Sequence, residues 1–271
     1  MTAAARPLET GDRRIRVEVE APIGFLVIDN PERRNAIALD MWRAIPDAIA
    51  ALDAAEDVRV IVIRGAGDLA FVSGADISEF ATVRRDAESA RAYEAANARA
   101  FASIREAKKP TIAMIRGFCL GGGMGVAVAT DLRIAADDAV FGIPAARLGV
   151  GYPPECIRDV VNAVGPMRAK ELFFTARRID AARAAAIGLV AAVHPVADLE
   201  AETRRLANEI GRNAPLTIRA AKAAIDAVAG DPAELNMAAL GELTDACFDS
   251  ADFAEGRGAF LEKREPVFRG V

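Results

Sequence analysis

One stretch constrains the fold more than any other. Residues 111–116 (TIAMIR) are apolar and β-rich, and they run through GFCLGGG into the helical pattern MGVAVAT. A buried strand that ends on a glycine run and restarts as a helix calls for a sheet layer with helices stacked on it. The run Leu120-Gly121-Gly122-Gly123-Met124-Gly125 enters that helix. Its orphan N–H groups therefore point outward at the positive end of the helix dipole, where they suit an anion or a developing oxyanion. Glycine also permits close packing of backbone on a neighbouring strand, and both readings stay open. A membrane span is not expected, because Arg116 and the triple glycine interrupt the run.

The surrounding pattern extends this layer. Residues 14–20 and 23–29 read as a hairpin, with Ala21-Pro22 between them. Asp40 to Asp53 has helical period with Asp40 as N-cap, and 58–64 (VRVIVIR) reads as a strand. A polar-faced helix is predicted over 88–107 and a strand over 131–135. Strands separated by helices imply a mainly parallel α/β sheet. After about residue 153 the reading is helical: 154–164, 166–175, 180–187, 198–212, 216–229, 232–247 and 251–264, with one strand at 189–193. Pro215 and Pro232 sit near helix starts, where a missing N–H costs little.

The chain has 271 residues and a net charge of −5, which disfavours nucleic acid as the main partner. Cys119, Cys156 and Cys247 are far apart and odd in number, which gives no disulfide framework and points to a reducing, cytoplasmic setting. The single histidine, His194, removes a multi-His metal site and a Ser-His-Asp triad, so no metal is expected. It follows a short strand and reads as structural or surface. The opening residues, MTAAARPLETGDRR, have no apolar core of a secretory signal.

A second loop has similar character. Ser73-Gly74-Ala75-Asp76-Ile77 follows a strand signal and precedes a helix, and Asp76 with Glu79 forms a D-x-x-E capping box. Gly74 is then present for backbone geometry, or the small residues leave backbone N–H groups open to a ligand. Neither glycine loop has the spacing of a Walker A or dinucleotide-binding motif.

Together, NPERRNAI (30–37), AFVSGADI (70–77), the block 109–135, FGIPAARLGVGYPPE (141–155) and AFLEKREPVF (259–268) stand in order. In this the chain resembles the crotonase superfamily, the enoyl-CoA hydratase/isomerase group, from about residue 14 onward. The resemblance implies a crotonase-like ββα-spiral core over 14–197, a C-terminal helical trimerisation region over 198–271, and a flexible N-terminus over 1–13. It implies an oxyanion hole for an acyl-CoA thioester at the N–H groups of Ala75 and Gly122. Ser73, Gly74, Asp76, Ile77 and Gly121 of those loops are expected among the substrate- and CoA-binding residues. It further implies CoA contacts from Arg33, Arg34 and Ala36, and from Phe260 and Lys263 across a subunit boundary. For Lys263 the alternative is a solvated last-turn lysine. No cofactor is implied beyond the coenzyme A of the substrate, and the assembly implied is a homotrimer or a dimer of trimers.

The chain departs from the hydratases of this family at two places. Their two glutamates correspond to Gly125 and Ala145, neither of which can move a proton. Hydration needs a general acid or base within hydrogen-bond reach, so decarboxylase-like or double-bond isomerase chemistry is expected instead. Leu148-Gly149-Val150-Gly151-Tyr152 locally resembles methylmalonyl-CoA decarboxylase, which implies a catalytic place for Tyr152; the alternative is core packing with its OH satisfied nearby. Glu155 is a candidate single base or an acidic helix-start residue. Arg147 is a candidate partner for a substrate carboxylate or a surface arginine. The three cysteines read as buried small apolar residues rather than nucleophiles, and Cys156 is the one to check, because a helix start lowers thiol pKa. A non-catalytic acyl-CoA-binding protein is the alternative function.

Overall fold

The computed structural model describes residues 6–8, 10–83, 85–230 and 235–271. Two apolar runs set the central layer. β2 (Ile15–Glu20) and β3 (Ile23–Ile28) form the expected hairpin, and β1 (Arg6–Leu8) pairs antiparallel with β2 at the edge. β4 (Val60–Gly65), β6 (Thr111–Ile115), β8 (Leu132–Ala136) and β11 (Ala192–His194) continue the sheet, parallel from β3 onward. The order is β1-β2-β3-β4-β6-β8-β11. β3 is buried along its whole length, because both faces of this sheet are covered. Leu26 and Ile28 face one core with α1 (Leu39–Ala54) and α3 (Ala87–Arg105), whereas Phe25 and Val27 face a second with α8 (Leu199–Gly211). Burying a side chain such as Leu52 there stabilises the fold by about 1.5–3 kcal/mol.

A second, smaller sheet has the order β10-β9-β7-β5. It contains β5 (Ala70–Val72), β7 (Phe118–Leu120), β9 (Val140–Gly142) and β10 (Ile179–Asp180). β5, β7 and β9 run parallel. None of these strands exceeds three residues, and the sequence pattern did not separate them from loops. β5 ends at Ser73-Gly74-Ala75, β7 at Gly121-Gly122, and β9 at Ile143-Pro144-Ala145. Pairing therefore delivers three segments, far apart in the chain, to one edge. Ligands of parallel sheets bind beyond the carboxyl ends of strands.

The helix readings largely match. α4 (Gly122–Val128) follows the glycine run, and α6 (Pro154–Thr175) contains the non-helical Gly165 between the two expected helices. α7 (Ala181–Ala186), α9 (Pro215–Ala229) with Pro215 in its first turn, α10 (Met237–Phe248) and α11 (Ala251–Glu262) complete the chain with the short α2 (Phe80–Val83) and α5 (Ala145–Leu148). The start of the expected 232–247 helix, with Pro232, lies outside the described residues, as do residues 1–5 and 9 of the expected N-terminal segment.

Two capping expectations need correction. The N-cap of α1 is Ala38, and Asp40 lies in the first turn. Asp76 caps a single 3₁₀ turn by accepting from Ser78 N, while Glu79 reaches away from it and accepts from Leu39 N at 2.9 Å. The reason is tertiary: Glu79 satisfies an orphan donor of α1 that no side chain at Ala38 can reach.

α8 packs on the central sheet through Leu199 and Ala207, but α9 and α10 bury no residue fully in the single chain. Ile225, Val228, Met237, Phe248, Phe260 and Leu261 on α9 to α11 are all exposed. Among the described residues, no helix is long and apolar enough to cross a membrane.

Candidate active site

The loops after β5 and β7 meet at a cleft. Ile37 N donates to Gly74 O at 2.9 Å, and Asp76 N donates to Ile37 O at 3.0 Å. These bonds fix the backbone on both sides of Ala75 and leave its own N–H turned away from that pairing. Gly74 has φ +117, and a Cβ on it would lie 3.2 Å from Leu120 O and 3.8 Å from Gly122 N. A side chain there is strained by the backbone conformation and crowded against Leu120 O. A Cβ on Gly122 would lie 3.5 Å from Ala75 N and 2.9 Å from the Trp42 ring. The two N–H groups are thus neighbours across a gap that only glycine leaves open. Among the described residues neither donates to a backbone carbonyl, and Gly122 opens α4. Donors of this kind, fixed before any ligand arrives, stabilise an oxyanion.

The cleft has a free volume of about 80 Å³. Of the residues singled out in the sequence, Ser73, Gly74, Ala75, Ile77, Gly121, Gly122 and Tyr152 line it, together with Ala145 and Cys156. The Tyr152 ring packs edge-on against Phe173 at 5.4 Å, and its OH lies 3.6 Å from where a Cβ on Gly121 would stand. Packing and cleft placement thus hold together for this residue. Gly125 faces inward, and a Cβ on it would come within 2.4 Å of the Phe101 ring.

Several singled-out residues lie elsewhere. Glu155 is exposed in the first turn of α6 and does not line the cleft; Cys156, one residue on, does. Arg147 is exposed on α5 and also outside the lining. Phe260 is 83% exposed on α11, and Lys263 follows at its C-cap with φ 56. His194 ends β11 as its last residue, away from the cleft. Burial pushes the Cys156 thiol up to about 12, in keeping with a buried apolar cysteine: desolvation outweighs the helix N-terminus.

The segment 30–37 braces the first loop. Arg33 donates to Asp76 Oδ1 at 3.1 Å and to Ser78 Oγ at 2.7 Å. Burial opposes ionisation of Asp76, but the bonds from Ser78 and the Arg33 charge outweigh it and hold the carboxyl below its usual range. Asp76 thus stands behind the loop, outside the lining. Ser73 N donates to Arg34 O at 3.1 Å. Arg34 itself lies over the Phe118 ring at 5.2 Å, with Arg178 5.5 Å from the same ring. Ala36 is buried beside Asn35, whose side chain donates to Ala66 O and Ala70 O.

The sequence reading missed the wall opposite these loops. α3 contributes Glu94, Asn97 and Phe101, at spacing i, i+3, i+7 on one helical face. The preceding Tyr93 is buried and accepts from Trp42 Nε1 at 3.0 Å, which ties α3 to α1. The helical spacing was readable, but a polar face on a helix ordinarily reads as solvated. Among the described residues, no group of three or more His, Cys, Asp or Glu side chains is placed to hold a metal.

The small sheet of short parallel strands thus brings the loops that carry Ala75 and Gly122 to one cleft. Residues 18–271 match the enoyl-CoA hydratase/isomerase family, and the chain belongs to it. It is 35% identical over 254 residues to a crotonyl-CoA hydratase of Syntrophomonas wolfei, covering 94% of this chain and 97% of that one. A short-chain-enoyl-CoA hydratase of Clostridium acetobutylicum is 32% identical, covering 92% of this chain and 95% of its own length. A crystal structure of an enoyl-CoA hydratase/carnithine racemase from Magnetospirillum magneticum superposes with a TM-score of 0.91 at 35% identity, covering 97% of each chain. The protein is an acyl-CoA enzyme of this family.

Proposed function

We propose that this chain binds a short acyl-CoA with its thioester oxygen at Ala75 N and Gly122 N, and stabilises the enolate formed there. The observation that carries the reading is the meeting of these two N–H groups at the end of paired parallel strands. Such a donor is worth about 3–4 kcal/mol of barrier in sites of this type. A free volume of about 80 Å³, smaller than the ~150 Å³ that admits benzene, supports an acyl group of few carbons.

The reaction proposed is a double-bond shift or a decarboxylation rather than hydration through the two family glutamates. Gly125 and Ala145 carry no proton, and Phe101 fills the space beside Gly125. In a decarboxylation, loss of CO2 forms the enolate directly, and Tyr152 is placed at the cleft to donate to it. Glu155 and Arg147, both exposed, have less support as proton carrier and carboxylate partner. Arg33, Arg34 and Ala36 belong to the segment that would receive the CoA. Phe260 and Lys263 would reach it from another subunit. The open apolar side chains of α9 to α11 support a homotrimer or a dimer of trimers. The chemistry proposed needs no cofactor beyond the substrate's own coenzyme A.

The test is a panel of crotonyl-CoA, a 3-enoyl-CoA and methylmalonyl-CoA, with products followed by mass spectrometry. Turnover of the 3-enoyl or malonyl ester above the crotonyl ester is expected. Tight CoA-ester binding without turnover of any of them would leave a non-catalytic acyl-CoA-binding protein.

A further inference from the structure

Among the side chains lining the cleft, one carboxylate stands out: Glu94, which the family's glutamate positions do not include. It projects from α3, opposite the two glycine loops. Its neighbours explain how it is held. Tyr93 is anchored to Trp42, and Trp42 is the residue a Cβ on Gly122 would strike. Thus the helix bearing Glu94 and the helix bearing the Gly122 N–H share one rigid contact, and their separation is set by packing.

Asn97, one turn on, is 6% exposed and lines the same cleft. Its Nδ2 donates to Glu94 Oε2 at 3.5 Å, the long limit of a hydrogen bond. Its Oδ1 is buried and accepts from no group among the described residues. A buried amide with an unused acceptor is costly unless something uses it. Glu94 is the side chain beside this amide in the cleft lining.

We propose that Glu94 is the proton carrier of this cleft, positioned by Asn97, and that it moves a proton from C2 to C4 of a short 3-enoyl-CoA. This rests on the acyl-CoA reading above. The carboxylate takes the C2 proton. The C2–H pair becomes the C1=C2 bond, and the carbonyl pair moves onto the thioester oxygen at Ala75 and Gly122. In the return step the carbonyl re-forms, the C1=C2 pair becomes C2=C3, and the C3=C4 pair takes the proton from Glu94 at C4. Atoms and electrons balance, and no water, oxidant or second acid enters. One carboxylate suffices, which fits a cleft where Gly125 and Ala145 offer none.

The experiment compares the full-length protein with Glu94→Gln, Glu94→Asp and Asn97→Leu. Butyryl-CoA binding is measured by calorimetry, and conversion of a 3-enoyl-CoA to the 2-enoyl-CoA is followed across pH. Glu94→Gln is expected to keep its affinity and to lose about 10²–10⁴-fold in rate, with Glu94→Asp between it and the parent. Asn97→Leu is expected to move the acidic limb of the pH–rate profile, a shift that a merely structural role would not give. A Glu94→Gln protein within about threefold of the parent rate, against the 10²-fold minimum for a proton carrier, overturns the proposal and leaves the acyl-CoA reading standing. So does a parent protein that binds butyryl-CoA and decarboxylates methylmalonyl-CoA but does not isomerise. A parent that binds no CoA ester overturns both.

Discussion

Phe101 occupies the space that any side chain at Gly125 would need: a Cβ built there lies 2.4 Å from the ring's Cζ. The ring is nearly buried and packs edge-on against Trp42 at 5.4 Å, so it is not a freely moving end. The absence of a side chain at Gly125 is therefore matched by the packing of the core around it.

Gly125→Ala is expected to destabilise the fold by about 1–3 kcal/mol, the range for overpacking a filled core. Combined with Phe101→Leu, the loss should be well below the sum of the two single losses, since the second change removes the clash. Urea unfolding of the four proteins measures this cycle. Simple additivity would mean that the ring is not what excludes the side chain.

Gly74→Ala places a Cβ at φ +117 and 3.2 Å from Leu120 O. The loop must shift, and Ala75 N shifts with it. Turnover is expected to fall about 10²–10³-fold, as for loss of one oxyanion donor, with CoA-ester affinity changed far less. An unaltered kcat in a folded variant would remove Ala75 N from the site.

Asp76 gives the first loop a pH dependence whose sign follows from its lowered pKa. Its contribution is fully present above the ordinary value of 3.8 and is lost as pH falls through the lower folded value. Asp76→Ala should cost about 1 kcal/mol at neutral pH, the typical loss of a helix cap. The difference from the parent should shrink below about pH 4. Thermal unfolding at a series of pH values tests this; a gap that stays constant down to pH 3 would contradict it.

Cys156 is buried, and its thiol is pushed up to about 12. At pH 8 the native protein should therefore resist iodoacetamide at this residue and react there once unfolded. Peptide mass spectrometry reads both states. Rapid native labelling of Cys156 would show that the cleft opens far more widely than its free volume implies.

Much of this was legible in the chain. The long apolar strands β3, β4 and β6 announce themselves by composition, and the glycine run before α4 marks the second N–H group. β5, β7, β9 and β10 were not legible, because two or three residues carry no measurable period; pairing creates them, not propensity. Their absence from the reading did not hide the loops they end in. Glu155 drew notice as the carboxylate nearest the recognisable motifs. Glu94 was passed over because a charged residue on a helix reads as solvated until the facing wall is known. The family resemblance pointed to the N–H groups of Ala75 and Gly122, and the structure brings the loops that carry them to one cleft. Sequence spacing did not locate the opposite wall, which depends on how α3 docks.

The small sheet has a consequence for how such proteins diverge. The segments that follow its strands β5 and β7 carry Ala75 and Gly122, while Glu94 stands on α3, a separate element tied to α1 through Tyr93 and Trp42. Charge stabilisation uses no side-chain identity, so it survives most mutations elsewhere. In the reaction proposed above, the proton carrier is one side chain on a helical face. On that proposal, a change of reaction needs new side chains on one helix only, with the backbone groups of the two loops kept.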